Sequence, residues 1–97
     1  MTTIAILELT LKPESLADAS AILTETLEAT RAFEGNLGCE VLFDNADETH
    51  VSIVERWESV ENDNAYRAFR QTPEGVSRLG TIVADRKLTL YTVRDDI

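Results

Sequence analysis

The densest set of aromatic and polar side chains, and so the place where a site is expected, falls between Glu55 and Arg70. Trp57, the only tryptophan, closes the alternating run Val51-Ser52-Ile53-Val54-Glu55-Arg56-Trp57, and Ser59 follows it. Asn62, Asn64, Tyr66, Phe69 and Arg70 come next, within four helical turns. An indole and a phenyl ring can wall an apolar pocket. A phenol hydroxyl, an amide or a guanidinium can meet an oxygen that gains charge. Two further candidates lie outside this stretch: His50, the only histidine, and Asn36, between Gly35 and Gly38. There is no GxGxxG loop, P-loop or HExxH, and one Cys with one His cannot make a zinc site alone.

Each candidate also has a plain structural role. Trp57 is a core aromatic by type, and Phe69, three residues after Tyr66, shares its helical face and can join it. A buried Tyr66 must find a partner for its hydroxyl. Arg70 can pair with Glu74 on the surface, and Asn62 and Asn64 suit a solvated first turn. His50 stands beside a polar turn, although its titration range suits a base. Cys39 fits a small buried hydrophobe. Asn36 either lines a cleft mouth or makes the turn.

The 97 residues are read as one domain spanning 1–97, 43% hydrophobic and with net charge −9. That charge disfavours nucleic acid and anionic membrane surfaces, both of which need clustered Lys and Arg. No apolar run reaches the roughly 20 residues of a membrane span. Met1-Thr2-Thr3-Ile4 does not resemble a signal peptide, and a single cysteine excludes an internal disulfide. The expected location is the cytoplasm.

Four alternating runs predict strands over 2–12, 39–44, 50–57 and 87–94. Ala5, Leu7, Leu9 and Leu11 share one face of the first, with Ile4, Ile6, Glu8 and Thr10 opposite. Pro13 opens a helix whose apolar stripe is Leu16, Ala19, Ser20, Leu23, Leu27 and Thr30, and Gly35 stops it. Asn45 to Thr49 is a polar hairpin turn. Ser59 caps a second helix, which Thr72-Pro73-Glu74-Gly75 breaks. Val76, Leu79, Ile82 and Val83 mark a short amphipathic piece reaching about Asp85. The order βαββαβ is that of an α+β, ferredoxin-like sandwich: an antiparallel four-stranded sheet with helices on one face. Apolar residues on both sheet faces (Ile4, Ile6, Leu42, Tyr91 and Val93 on the second) predict a twofold homodimer joined sheet to sheet.

Three passages resemble the antibiotic biosynthesis monooxygenase family of small dimeric α/β-barrel proteins. Phe33-Glu34-Gly35-Asn36-Leu37-Gly38-Cys39 looks like the family's Arg/Glu-x-x-Pro-Gly-Cys passage. Glu55-Arg56-Trp57-Glu58-Ser59 looks like its Glu-x-Trp-x-Ser signature, and the helix through Ala65-Tyr66 follows it. The run from Ala65 to Gly75 resembles a quinol monooxygenase-like branch. Many members carry a His where this chain has Tyr66, and no His follows His50, which speaks against haem degradation.

The resemblance implies a cofactor-independent monooxygenase that oxidises quinol-like or polycyclic phenolic molecules with O2. Tyr66, Arg70 and Asn62 would then be catalytic: Tyr66 would hydrogen-bond a substrate oxygen, and Arg70 or Asn62 would stabilise a phenolate. Trp57, Phe69, His50 and Asn36 would bind substrate, and no metal would be held. On this reading Tyr66→Phe lowers turnover and leaves the melting temperature nearly unchanged. Two alternatives stand beside it: a non-catalytic small-molecule-binding or stress-associated domain, and an isomerase or cyclase on the same scaffold.

Overall fold

The computed structural model describes all residues, 1–97. Strand β1 (Thr3–Leu11) leads through a single 3₁₀ turn, Pro13–Ser15, into helix α1 (Leu16–Ala32). Strands β2 (Asn36–Asp44) and β3 (Asp47–Trp57) form a hairpin. Helix α2 (Val60–Arg70), a 3₁₀ turn at Arg78–Thr81 and strand β4 (Val83–Thr92) complete the chain. The strands make one sheet in the order β2-β3-β1-β4, with every neighbouring pair antiparallel. This is the ferredoxin-like arrangement predicted from the order of elements. No helix is long and apolar enough to cross a membrane.

Alternation assigns the faces of the sheet. Ala5, Leu7, Leu9 and Leu11 of β1 and Val51, Ile53, Glu55 and Trp57 of β3 are all buried on the helix side. Ala19, Ile22, Leu23 and Leu27 of α1 pack on Leu7, Leu9, Leu11, Val51 and Ile53, together with Leu79 and Ile82. Each such fully buried aliphatic side chain contributes about 1.5–3 kcal/mol. A separate cluster of Ala5, Trp57 and Tyr66, flanked by Phe33, occupies the end of the sheet where α2 begins. Thr26 replaces Ser20 on the buried stripe of α1, because the helix settles with 19, 22, 23, 26, 27 and 30 inward.

Several boundaries differ from the predicted ones: β2 starts at Asn36 rather than Cys39, and the amphipathic piece expected to reach about Asp85 is only the 3₁₀ turn Arg78–Thr81. The hairpin turn is only Asn45-Ala46: β3 starts at Asp47, and Asp44 pairs with Asp47. Polar side chains there face water, so they cost the ladder nothing. Likewise β4 begins at Val83 rather than Lys87. Asp85, Arg86 and Lys87 pair with Thr10, Leu9 and Glu8, and the register shifts beside Leu11. On an edge strand such charged positions are tolerated and even protective.

The turn after α1 is locked to the junction between β3 and α2. Gly35 has φ +88, a left-handed conformation that side chains resist, and a Cβ there would fall on the Asn62 side chain. Its carbonyl accepts the Glu58 N–H at 2.9 Å. Ser59 caps α2 reciprocally: its Oγ accepts the Asn62 backbone N–H and donates to Asn62 Oδ1 at 2.6 Å.

Candidate active site

A cavity of about 330 Å³ opens between α1, the sheet and the C-terminal end of α2. Leu7, Leu27, Ile53 and Leu79 supply apolar wall, and Thr26, Glu55, Tyr66, Arg67, Arg70 and Arg86 supply polar groups. The chain has nine Lys and Arg against eighteen Asp and Glu, yet three arginines converge here. Arg67 is paired with carboxylates, and Arg70 and Arg86 remain as cations suited to a negatively charged oxygen.

At the floor lies a buried knot of charge. Glu55 is 2% exposed and Asp63 is fully buried. A single nitrogen, Arg67 Nη2, donates to Glu55 Oε1 at 2.6 Å and to Asp63 Oδ1 at 3.0 Å. Trp57 Nε1 also donates to Glu55 Oε1, at 3.2 Å. Burial pushes the Glu55 carboxyl above its ordinary range. The Arg67 charge and the Trp57 and Arg67 hydrogen bonds pull it back, and Asp63 pushes it further up. Arg67 Nε and Asp63 Oδ2 are buried without partners.

A second network joins the two helices. Arg70 Nε donates to the Tyr66 hydroxyl at 2.7 Å, and that hydroxyl lies 2.6 Å from Thr30 Oγ1. Arg70 Nη2 reaches Thr26 O at 2.7 Å and Thr30 Oγ1 at 3.2 Å, while Nη1 holds Gly75 O at 3.1 Å. A guanidinium only donates, so Tyr66 accepts from Arg70 and gives its own proton to Thr30, which donates onward to Thr26 O. Four of Arg70's five N–H groups are therefore spent inside the chain.

Of the seven residues singled out from sequence, Tyr66 and Arg70 line the cavity. Trp57 and Phe69 do not. Trp57 is fully buried at 5.0 Å from the Tyr66 ring, and Phe69 packs on Phe33 at 5.4 Å. They form an aromatic core beneath the site instead of its walls. Asn62 is the reciprocal partner of the Ser59 cap, and its Nδ2 also reaches Glu34 O at 3.4 Å. Asn36 makes its turn, Oδ1 accepting the Gly38 N–H at 2.9 Å. His50 stands on the helix-free face of the sheet between Asp44, at 2.9 Å, and Glu8, at 3.5 Å. Asp44, foremost, raises its pKa.

Reading the residues in sequence missed Glu55, Arg67, Arg86 and Thr26. Arg86 had a usable signal, since it shares the helix-side face of β4 with Leu88 and Leu90. Its side chain makes no hydrogen bond within the chain. No group of three or more His, Cys, Asp and Glu side chains is placed to hold a metal ion.

A family profile described as antibiotic biosynthesis monooxygenase matches residues 2–75, which carry β1 through α2 and the buried charge knot. The chain belongs to the antibiotic biosynthesis monooxygenase family. A Deinococcus radiodurans protein named for the same family is 25% identical, superposes with a TM-score of 0.82, and the match covers 98% of this chain and 95% of that one. A Nitrosomonas europaea protein, also named for the family, is 17% identical with a TM-score of 0.78, covering 94% and 97%. A Mycobacterium tuberculosis protein is 16% identical with a TM-score of 0.78, covering 98% and 97%. No curated protein matches.

The network around Tyr66 changes the outcome expected for its hydroxyl. Tyr66→Phe removes the acceptor of the half-buried Arg70 Nε–H, while Thr30 Oγ1 keeps its bonds to Arg70 Nη2 and Thr26 O, so the cost is about 1 kcal/mol. For a chain of this size each kcal/mol lowers the melting temperature by roughly 4–8 °C. Calorimetry should therefore show a clear drop. An unchanged melting temperature would mean that the buried network does not form in solution.

Proposed function

We propose that the protein is a cofactor-independent monooxygenase for quinol-like or polycyclic phenolic molecules. The observation that carries this reading is the placement of Arg86, without an internal partner, and of Arg70 on an apolar-walled cavity in a member of this family. An electron-rich phenol reacts with O2 once it becomes a phenolate, so the protein must bind the ring, take a proton and hold the anion. Leu7, Leu27, Ile53 and Leu79 receive the ring. Arg86, with its guanidinium unspent, and the remaining N–H of Arg70 face the phenolate oxygen. For a quinol the balance is quinol plus O2 to hydroxyquinone plus water, with one oxygen atom entering the ring. About 330 Å³ lies at the lower end of small-molecule pockets, which favours compact ring systems.

The test is oxygen consumption by metal-stripped protein offered quinols and anthrones, corrected for spontaneous oxidation. Saturable protein-dependent uptake, with one labelled oxygen atom from ¹⁸O₂ in the product, is the expected result. Arg86→Ala should lower kcat/KM by about tenfold or more, the worth of a hydrogen bond to a charged group, while the melting temperature holds. No uptake beyond the control would contradict the reading. The commitment of Tyr66 and of four of Arg70's five N–H groups to internal bonds favours one alternative, a binding domain without turnover. Quinol binding without uptake would select it.

The functional unit we propose is a homodimer. Ile4, Ile6 and Val54 are only partly covered on the face without helices, and Leu42 and Tyr91 there are 49% and 52% exposed. Pairing two such faces buries apolar surface that a monomer leaves wet. Light scattering at micromolar concentration should give a mass near twice the 10.8 kDa of one chain. A mass near one chain would refute the dimer.

A further inference from the structure

The cavity contains one group placed to receive a proton. Glu55 lines it, is 2% exposed, and belongs to β3 at the boundary between the aliphatic and aromatic cores. Its two carboxylate oxygens differ. Oε1 is held by Arg67 and Trp57, whereas Oε2 takes no hydrogen bond from the chain. A carboxylate anchored through one oxygen, with its other oxygen unclaimed at a cavity wall, has the geometry of a positioned general base.

We infer that Glu55 is the proton acceptor of this site, its Oε2 removing the acidic C–H or O–H proton of an anthrone- or quinol-type substrate. The inference rests on the reading of the cavity as a phenol site. In the step, the substrate C–H or O–H bond breaks and an O–H bond forms at Oε2. The bonding pair stays with the substrate and spreads onto its oxygen as a phenolate. Arg70 and Arg86, on the walls of the same cavity, compensate that charge. Oxygen is the oxidant, and the proton held on Glu55 leaves in the water that carries away the second oxygen atom.

The surroundings suit the task. Arg67 and Asp63 face Glu55 from α2, Cys39 stands opposite it on β2, Tyr66 and Arg70 approach from α2, and Arg86 from β4. Burial dominates this set and raises the carboxyl above its usual range. A stronger base results, closer in affinity to the proton it must take. Arg67 and Trp57 fix the carboxylate's direction by binding the oxygen that does not react. These two act as positioning residues.

Anthrone tests proton removal apart from oxidation. In deoxygenated D2O its methylene protons exchange slowly, and loss of their NMR signal reports carbanion formation without any oxygen chemistry. The native protein should accelerate exchange above the protein-free control, with a rate that rises through one ionisation and then levels off. Glu55→Gln keeps the size and an acceptor for Arg67 and Trp57, and should reduce the protein-dependent rate by about 100-fold or more. Exchange retained by a folded Glu55→Gln, or absent from the native protein, would overturn the assignment. Should Glu55→Gln not fold, the native profile decides alone: a plateau supports Glu55, and a rate proportional to hydroxide throughout overturns it. Glu55-dependent exchange without oxygen uptake in air would retire the monooxygenase reading and leave Glu55 as the base. Oxygen uptake that survives Glu55→Gln would do the reverse.

Discussion

Two buried carboxylates share one guanidinium, and the site is built around that constraint. Arg67 Nη2 lies between Glu55 on β3 and Asp63 on α2 and donates to both. Taking such charges from water costs several kcal/mol for each ion, and the attraction between them returns that cost only with good geometry. One arginine cannot fully compensate two acids, so Glu55 is left with burial as the dominant influence on its proton. The sign follows. A carboxyl raised in the folded state contributes stability below its unfolded pKa, and that contribution is lost as pH rises through the folded value. Ionised Glu55 thus works against the fold, a form of strain that functional sites commonly carry.

The rest of the architecture holds this knot in place. The reciprocal cap between Ser59 and Asn62 sets where α2 starts, and the left-handed Gly35 turn fits against it. Phe33, Trp57, Tyr66 and Phe69 fill the space below with edge and tilted ring contacts at 5.0–6.2 Å. Arg70 then draws the end of α2 onto α1 and onto the Gly75 turn. Tyr66 and Arg70 shape the cavity while spending most of their hydrogen-bonding capacity on each other. Arg86 reaches the same cavity with no internal partner, which separates the groups that build the site from the groups free to meet a ligand.

Much of the fold was legible in the sequence because alternation and helical spacing report directly on burial. The face shared by Ala5, Leu7, Leu9 and Leu11, the Ser59 cap and the Gly35 stop follow from local chemistry. The early start of β4 was not legible, since Asp85, Arg86 and Lys87 lack the apolar signature and are tolerated only by an edge strand. The site was half legible. Tyr66 and Arg70 stand at the cavity, but Trp57 and Phe69 became core and Asn62 and Asn36 became local turn and cap groups. His50 went to the far face. Glu55 was hidden because its alternation partners, Ile53 and Trp57, mark a buried face on which a carboxylate is not expected. Only the tertiary approach of Arg67 makes that position tenable.

Glu55 is desolvated as well as ion-paired, and burial outweighs the pairing. Carboxyl ¹³C NMR of Glu55 across the acid range measures this directly. A midpoint clearly above the ordinary glutamate value of about 4.3 is the result predicted by burial outweighing Arg67 and Trp57. A midpoint at or below it would mean that the ion pair dominates, and that the carboxylate is too weak a base to be the centre of this site.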